Sequence, residues 1–522
     1  MRRAKNCYLY FVIILLTLIV SDASGQLIDN NQALNPANAG INKTLVEEIG
    51  AGRGSIMTID SSLFIINRDP FRAIRRGRQL FMRKFTRVQG QGPTIGDGFG
   101  DIAANPRIGA GLSDSCASCH GRPRGSAGFG GDVATRPDSR DSPHLFGLGL
   151  REMLADEITS DLRGIREHAK TRAAVTKKQV RAALISKGIR YGFITANPDG
   201  SLDTSKVVGV DPDLRVRPFF IQGGTISIRE FIVGALQGEM GLEATNDPDL
   251  ATASSGGKIT TPAGMVLDGS VDKIEAPPPP DSENGNEIDT ALVDYMEFYL
   301  LNYFNPATYK KTDSAEGGRY IFKRIGCDSC HIPNLQINKD RRLANIDTVF
   351  DPSKGIFNRL FATATEQNTS FDDGSGYPLL KRPNLSSFLV KDIYTDFKRH
   401  DLGPNFYERN YDGTTLQTQF VTRPLWGVGS TPPYGHDGRS VNLTEVILRH
   451  GGEAQAARNA FARLGRSDRQ DVLYFLDSLI LFPPDDTASN LDPGNPSAPN
   501  FPQFGHGSIK LTVLFNDPTD PE

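Results

Sequence analysis

The chain has 522 residues and a formal net charge of −3, and its isoelectric point is about 6.3. This balanced charge offers no basic surface of the kind that nucleic acids need, so we expect no nucleic-acid partner. A hydrophobic content of 38% over this length is enough for two or three cores. The 53 glycines and 33 prolines predict short helices joined by long loops.

The first 25 residues are typical of a secretory signal. A basic start is followed by an apolar run from Tyr8 to Val20 and by small residues that end at Gly25. The run is short for a membrane span. We therefore expect cleavage after Gly25, export to the periplasm and no membrane span in the mature chain. An uncleaved N-terminal anchor is the alternative.

The first predicted helix begins at Asp69-Pro70 and runs to about Phe85, because proline is favoured at the first helical position. It contains Gly77-Arg78-Gln79-Leu80-Phe81, and a similar sequence returns as Gly318-Arg319-Tyr320-Ile321-Phe322. This return of a motif indicates an internal duplication.

Each copy of that motif precedes a Cys-x-x-Cys-His pentapeptide, at residues 116–120 and 327–331. The spacing is that of c-type haem attachment, in which both thiols reach one haem edge and the histidine coordinates the iron. A zinc site, a redox-active dithiol and a disulfide are the alternatives, and the wide separation of two complete motifs favours haem. The predicted attachment residues are Cys116, Cys119, Cys327 and Cys330, and the predicted iron ligands are His120 and His331.

A second duplicated motif reads Leu145-Phe146-Gly147-Leu148-Gly149 in its first copy and Leu425-Trp426-Gly427-Val428-Gly429 in its second. Trp426 corresponds to Phe146, which favours a packing role shared by both halves. A role for Trp426 in electron transfer between haems is the alternative.

A third duplicated segment predicts one helix start in each half. Ser227 precedes Glu230 by three residues, and Asn442 precedes Glu445 by three residues. A capping residue three positions before a glutamate is the signature of a capping box.

The second of these helices carries a candidate ligand. His450 lies four and three residues after Val446 and Ile447, so it shares their buried face and is a candidate sixth ligand of the C-terminal haem. A buried core histidine is the alternative. The equivalent position in the first half is Ala235, and the nearby Met240 is a thioether ligand or a packing residue.

The remaining predicted segments are two helices, a linker and two long connections. One helix runs from Asp289 to about Phe304, and another is capped by Ser467 and runs through Leu481. Residues 244–287 are rich in Ser, Gly, Pro and Asp and predict a linker or long loop. Residues 151–217 and 332–422 leave room for a pocket or a docking surface.

These motifs together resemble the di-haem oxidoreductase (putative peroxidase) family, which is related to the bacterial di-haem cytochrome c peroxidases. The likeness extends over most of residues 70–480, and the motifs occur in the family's order. The segments that carry it, besides the two haem motifs, are PHLFGLGL from Pro143, TDFKRHDLG from Thr395, RPLWGVG from Arg423 and HDGRSVNLTEVILRHGG from His436.

The resemblance implies a mainly α fold of two fused cytochrome c-like domains with long loops, holding two covalently bound haem c groups. It leaves open whether calcium lies between the domains. We expect a signal peptide, an N-terminal extension, an N-terminal haem c domain, a linker, a C-terminal haem c domain and a tail. Their bounds are 1–25, 26–68, 69–243, 244–287, 288–483 and 484–522.

The resemblance also suggests roles for individual residues. His450 falls where relatives place the sixth ligand of the C-terminal haem, and Met240 is a candidate ligand in the N-terminal half. His144 and Glu152 are the candidate catalytic residues for handling peroxide. His400 and His436 match family positions and could contact a propionate, line the pocket or ligate iron.

The predicted function is that of a di-haem c-type oxidoreductase with peroxidase-like activity. Its electrons would come from a small redox protein, either a cytochrome c or a cupredoxin, and would pass to peroxide or another substrate. The alternative from a different class is a non-catalytic electron-transfer cytochrome whose two irons are both six-coordinate.

Overall fold

The structure is a computed structural model that describes most of the chain. The residues described are 44–86, 89–92, 113–121, 127–128, 141–244, 247–277, 288–302, 312–342, 346–356, 361–368, 370–371, 379–380, 387–409 and 415–479. The predicted signal peptide and tail, and the first part of the predicted N-terminal extension, lie outside these ranges.

The described part of the chain is mainly helical, as the sequence predicts. Its α-helices are α1 (Leu45–Ile49), α2 (Ser62–Arg68), α3 (Pro70–Met82), α4 (Cys116–His120), α5 (Leu148–Thr176), α6 (Ile228–Ala235), α7 (Pro248–Ser254), α8 (Thr290–Asn302), α9 (Asp313–Arg324), α10 (Leu443–Arg449), α11 (Gln455–Ala462) and α12 (Arg466–Asp477). A π-helix covers Leu236–Met240, and short 3₁₀ helices cover Cys327–Ser329, Val428–Ser430 and Gly452–Ala454.

The strands are short and form small antiparallel sheets. They are β1 (Val180–Ser186), β2 (Ile189–Ala196), β3 (Leu202–Asp203), β4 (Lys258–Thr260), β5 (Val266–Asp268), β6 (Leu335–Ile337), β7 (Ile346–Ile356), β8 (Phe361–Asn368), β9 (Ser370–Phe371), β10 (Leu379–Leu380), β11 (Phe388–Val390), β12 (Arg399–Asp401), β13 (Glu408–Arg409), β14 (Leu416–Gln417) and β15 (Gln419–Val421). Strands β1, β2 and β3 form one three-stranded sheet in that order, and β4–β5, β6–β11, β7–β8, β9–β10, β12–β15 and β13–β14 are the two-stranded pairs.

The duplicated Gly-Arg motif marks a close helix contact in each half. A Cβ on Gly77 of α3 would lie 2.2 Å from the backbone oxygen of Tyr295 in α8. A Cβ on Gly318 of α9 would lie 1.8 Å from the backbone oxygen of Asp471 in α12. Both distances are below van der Waals contact, so only glycine lets these helix pairs approach so closely.

The second duplicated motif uses its last glycine in the same way. A Cβ on Gly149 would lie 2.0 Å from the oxygen of Leu301, near the end of α8. A Cβ on Gly429 would lie 2.3 Å from the oxygen of Asp477, at the end of α12. Helix α8 therefore makes the contacts in the first half that α12 makes in the second.

The predicted helix starts agree with the structure to different degrees. Helix α3 begins at Pro70, and α6 has the full capping box, in which Glu230 N donates to Ser227 Oγ (3.1 Å) and Ser227 N donates to Glu230 Oε2 (3.1 Å). The predicted cap at Ser467 is wrong. Helix α12 begins earlier, after Gly465, because Arg469 N already closes the first turn on Gly465 O at 3.0 Å.

The predicted linker is partly folded, and so is the first of the long connections between motifs. Residues 247–277 contain α7 and the β4–β5 hairpin, and Leu250, Met265 and Leu267 from this stretch are buried in the core around α3, α6 and α8. Residues 151–203 form most of α5 and the sheet β1–β3, which pack together in a second core. Within the described residues, no helix is long and apolar enough to cross a membrane.

Candidate haem-binding cavity

One continuous cavity of about 1110 Å³ is lined by both Cys-x-x-Cys-His motifs. This volume lies just above the range of about 300–1000 Å³ that is usual for small-molecule sites. The cavity wall also contains the other residues that the sequence singled out for iron ligation or peroxide handling, except Glu152. They are His144, Met240, His400, His436 and His450.

The local fold brings the two cysteines of each motif together. In the first motif Ser118 N donates to Ser115 Oγ (3.1 Å), which starts the single turn α4 and places Cys116 and Cys119 on one face. In the second motif a 3₁₀ turn begins at Cys327. All four described cysteines are free thiols, so the disulfide alternative is absent from the described part of the chain.

The histidine of each motif is held by a backbone carbonyl. His120 Nδ1 donates to Pro143 O at 2.7 Å, and His331 Nδ1 donates to Tyr394 O at 3.0 Å. Since a carbonyl can only accept, the proton is on Nδ1 and the lone pair is on Nε2. Metal-bound histidines are usually oriented by a hydrogen bond of this kind.

Burial keeps these rings neutral. It lowers the pKa of His120 to about 4, against the effect of the carbonyls of Pro143 and Gly128, and it also lowers the pKa of His331. A neutral imidazole is the form that coordinates a metal at neutral pH. Burial also raises the pKa of the Cys116 and Cys327 thiols to about 12. The residues present therefore fit two c-type haems.

His450 is oriented like the two motif histidines. It lies just after α10 rather than within it, and its Nδ1 donates to Val446 O at 2.7 Å. Its ring packs edge-on against Phe406, with ring centroids 5.1 Å apart. Burial lowers the pKa of His450 to about 4, and the neighbouring His331 lowers it further. His331 and His450 thus both line the cavity, each with Nε2 unprotonated.

His400 and His436 have their ring nitrogens engaged differently. His400 Nδ1 lies 2.8 Å from Glu453 Oε2, and His400 Nε2 lies 2.9 Å from Asp396 Oδ2. His436 Nε2 lies 2.8 Å from Glu408 Oε2. Burial opposes a charge on His400, but hydrogen bonds to Asp396 and Cys330 outweigh it and raise the pKa of His400 to about 11. Both rings line the cavity, and the Nε2 of each lies beside a carboxylate oxygen, although His436 Nε2 makes no hydrogen bond of acceptable geometry.

Met240 ends the π-helix that follows α6. Its side chain is buried and lines the cavity in the N-terminal half. Its backbone oxygen accepts from Gly92 N at 3.0 Å, which fixes the end of the turn. Single π-helical turns occur often at functional sites, because they move one side chain out of the regular helical register.

His144 and Glu152 have different surroundings. His144 Nε2 donates to Trp426 O at 2.9 Å, which leaves Nδ1 as a buried acceptor without a hydrogen-bond partner. Burial lowers the pKa of His144 to about 3, and Arg151 and Arg423 lower it further. Glu152 accepts from Ile228 N at 2.8 Å at the start of α6, and burial raises its pKa well above the ordinary value. Glu152 is not among the described residues that line the cavity.

Trp426 packs and lines the cavity at the same time. It is 5% exposed, belongs to the core around α5, and donates from Nε1 to Lys391 O at 3.4 Å. Its counterpart Phe146 is buried in the core around α3, α6 and α8. Both residues therefore have the packing environment that the duplication predicts.

Sequence reasoning missed two kinds of residue at this site. The carbonyls of Pro143 and Tyr394 are backbone groups, and Tyr394 has a positive φ of 52°, which no local motif announces. Arg151 also lines the cavity, with 6% of its surface exposed. A charged residue inside the apolar run from Leu145 to Leu154 is the signal that could have found it.

Comparison with known proteins supports the resemblance to the di-haem oxidoreductase family over part of the chain. Residues 340–479 match the family model described as "Di-haem oxidoreductase, putative peroxidase". This confirms the resemblance for the segment that contains His400, His436 and His450, although the match begins after the second haem motif. No curated protein sequence matches the chain significantly.

Two solved structures show remote similarity. One is a hydrazine synthase from Kuenenia stuttgartiensis pressurised with xenon, with 13% identity over 38% of this chain and a TM-score of 0.23. The chain spans only 58% of the length of that protein. The other is a MauG-like protein associated with microbial copper homeostasis, with 12% identity over 78% of this chain and 88% of that chain and a TM-score of 0.32. TM-scores this low carry no argument about fold or function.

Proposed function

We propose that the protein is a periplasmic di-haem c-type oxidoreductase with peroxidase-like activity, built from two cytochrome c-like domains. The observation that carries the proposal is that His120 and His331 have the same position and the same hydrogen bonding. Each follows a Cys-x-x-Cys pair, lines one cavity, and is turned by a backbone carbonyl so that Nε2 carries the lone pair. The matched helix contacts of α3 with α8 and α9 with α12 support a domain around each motif.

The residues of the C-terminal half suit an iron with two histidine ligands. His331 and His450 would hold it, because both rings are neutral and both have Nδ1 engaged by a carbonyl. An iron held by these two histidines would have no free position for peroxide and would be suited to electron transfer. We therefore assign the electron-receiving role to the C-terminal half.

The residues of the N-terminal half suit the reaction with peroxide. His120 would hold the iron there, and the buried Met240 is a thioether ligand candidate that is weaker than a second histidine. When bound, c-type haems supply one-electron transfer, and an iron with an open coordination position supplies peroxide reduction. The protein supplies axial ligands, proton acceptors and exclusion of water around them.

His144 is the residue that we propose handles the proton of the peroxide. Its Nε2 proton is fixed on Trp426 O, so its lone pair is on Nδ1, which is buried and has no hydrogen-bond partner. A catalytic role for Glu152 stays a prediction, since its carboxylate caps α6. The electron donor is proposed to be a small cytochrome c or cupredoxin.

The test uses the exported protein purified from a host that attaches c-type haem. We expect two haems per chain that survive denaturation, and peroxide-dependent oxidation of a reduced cytochrome c or cupredoxin. His144→Ala should lower turnover by about 10²–10⁴-fold while the haem content is unchanged. The exposed His168→Ala, in helix α5, is the control and should have normal turnover.

A plain electron-transfer cytochrome is the second candidate function, and the buried Met240 in the cavity wall favours it. With Met240 as a permanent sixth ligand of the N-terminal haem and His450 in the C-terminal half, both irons would be closed. Two haems per chain without any peroxide-dependent oxidation would support this second function against the first.

A further inference from the structure

Arg151 is a buried cation in the cavity wall that no described carboxylate neutralises. It lies in the first turn of α5, and only 6% of its surface is exposed. One guanidinium nitrogen, Nη2, donates to the backbone oxygen of Pro218, and the group lies over the ring of Phe219, 5.4 Å from its centroid. Its Nε is buried without a hydrogen-bond partner.

The surroundings of Arg151 make its positive charge energetically more unfavourable. Arg423, which also lines the cavity, is its electrostatic neighbour, and burial together with Arg423 lowers the pKa of Arg151 well below the ordinary value. Both arginines line the cavity, and both lower the pKa of His144. Buried charges in proteins are normally paired, because an uncompensated one is strongly unfavourable.

Two other buried arginines, Arg229 and Arg215, follow the usual rule. Arg229, which is fully buried, lies within ion-pair distance of Asp247, Asp249, Asp294 and Glu297, at 2.6–3.5 Å. Arg215 pairs with Asp156 at 2.7 Å. Arg151 has no such carboxylate partner, and it lies in the cavity wall, where an anion bound in the cavity would be within its reach.

We propose that Arg151, assisted by Arg423, binds a carboxylate inside the cavity. The planar guanidinium is suited to a carboxylate, and none of the described contacts of Arg151 is with one. The carboxylate would be either a propionate of the haem in the N-terminal half or a free carboxylate ligand beside that haem. The inference rests on the proposed function only in that a haem occupies this half of the cavity.

The first experiment tests whether the bound carboxylate is a haem propionate. Midpoint potentials of both haems are measured against pH for the wild type, Arg151→Gln, Arg151→Met and Arg423→Gln. Loss of the cation should lower the midpoint potential of one haem and move its pH dependence to higher pH, because a carboxyl group without its cation has a higher pKa. Arg172→Gln, an exposed change on the same helix, is the charge-matched control and should change neither quantity.

The second experiment tests whether the site binds a free carboxylate ligand. Sodium acetate is titrated into the ferric protein at constant ionic strength, with chloride as the balancing anion, and the haem absorption is followed. If the site takes a free carboxylate, the wild type should show a saturable change, and Arg151→Gln should bind acetate at least about tenfold more weakly. A potential shift without acetate binding identifies the propionate as the anion.

One pattern of results would overturn the proposal: unchanged potentials and pH profiles in all the Arg151 and Arg423 variants, with no acetate binding that depends on Arg151. Arg151→Met keeps the proposal testable if Arg151→Gln folds poorly, since an apolar chain of similar length leaves no buried polar group unpaired. Arg423 is only partly buried, so Arg423→Gln serves the same purpose. The haem content and wild-type spectrum report separately on the proposed function.

Discussion

At the scale of single residues, the orientation of histidine rings separates ligand candidates from supporting residues. His120, His331 and His450 each give Nδ1 to a backbone carbonyl and keep Nε2 available. His400 has both nitrogens next to carboxylates instead. The imidazole hydrogen bonds therefore carry more information about ligation than burial alone, because a histidine with both nitrogens engaged cannot also bind iron.

Replacing His450 tests the assignment of the sixth ligand in the C-terminal half. His450→Ala should convert one haem from low-spin to high-spin in the ferric absorption spectrum, because a strong ligand is lost. His168→Ala, which removes an exposed histidine, should leave the spectrum as it is. An unchanged spectrum in His450→Ala would exclude His450 as a ligand.

Met240 can be tested with a matched methionine in the same cavity. Met240→Leu should increase the high-spin fraction of the N-terminal haem, since leucine keeps the volume but cannot coordinate iron. Met296, in α8, also lines the cavity and is equally buried, so Met296→Leu is the control and should have the wild-type spectrum. Equal spectra for the two variants would mean that Met240 only packs.

At the scale of secondary-structure elements, glycines of the duplicated motifs set the distance between helices. Gly318 and Gly317 are neighbours in α9, but only Gly318 faces α12. A Cβ at position 317 would meet nothing within 4 Å. Alanine substitutions at these two positions therefore test different properties of the same helix: close packing at Gly318 and helix propensity at Gly317.

We expect opposite effects on stability from these two positions. Gly318→Ala should lower the free energy of unfolding by about 1–3 kcal/mol, because the added methyl overpacks the contact with Asp471. Gly317→Ala should raise it by up to about 1 kcal/mol, because alanine is the better helix former. Denaturant unfolding of both variants measures the difference, and equal effects would contradict the packing argument.

Secondary-structure elements and site residues can be predicted from the sequence where the contacts that determine them are local. The capping box of Ser227 and Glu230 spans four residues, so it can be predicted from their spacing. The carbonyl that orients His331 belongs to Tyr394, 63 residues away, and such a contact has no sequence signature. Helix α5 has no such signature, because its N-cap residue is Gly147, which has no side chain to cap the helix that begins at Leu148.

At the scale of the whole molecule, the helix contacts suggest where the first repeat ends. Helix α8 contacts Gly77 and Gly149, just as α12 contacts Gly318 and Gly429. Sequence analysis assigned α8 to the C-terminal haem domain, from residue 288. We propose instead that the N-terminal domain includes the stretch 247–277 and extends through α8.

Two fragments distinguish these boundaries. A fragment ending at Asn302 should be produced in soluble form with one attached haem, because it keeps the contact between α3 and α8. A fragment ending at residue 277 lacks α8 and should lose haem or fail to accumulate. If both fragments hold haem equally well, α8 is not part of the first domain.

The proposed peroxidase-like function requires one iron to be accessible while the other is closed. Electron paramagnetic resonance of the fully ferric protein and of a half-reduced sample tests this most directly, because high-spin and low-spin ferric haem give separate signals. We predict a high-spin signal in at least one of the two states, together with a low-spin signal from the haem held by His331 and His450. Purely low-spin signals in both states would contradict the peroxidase-like function and leave an electron-transfer cytochrome.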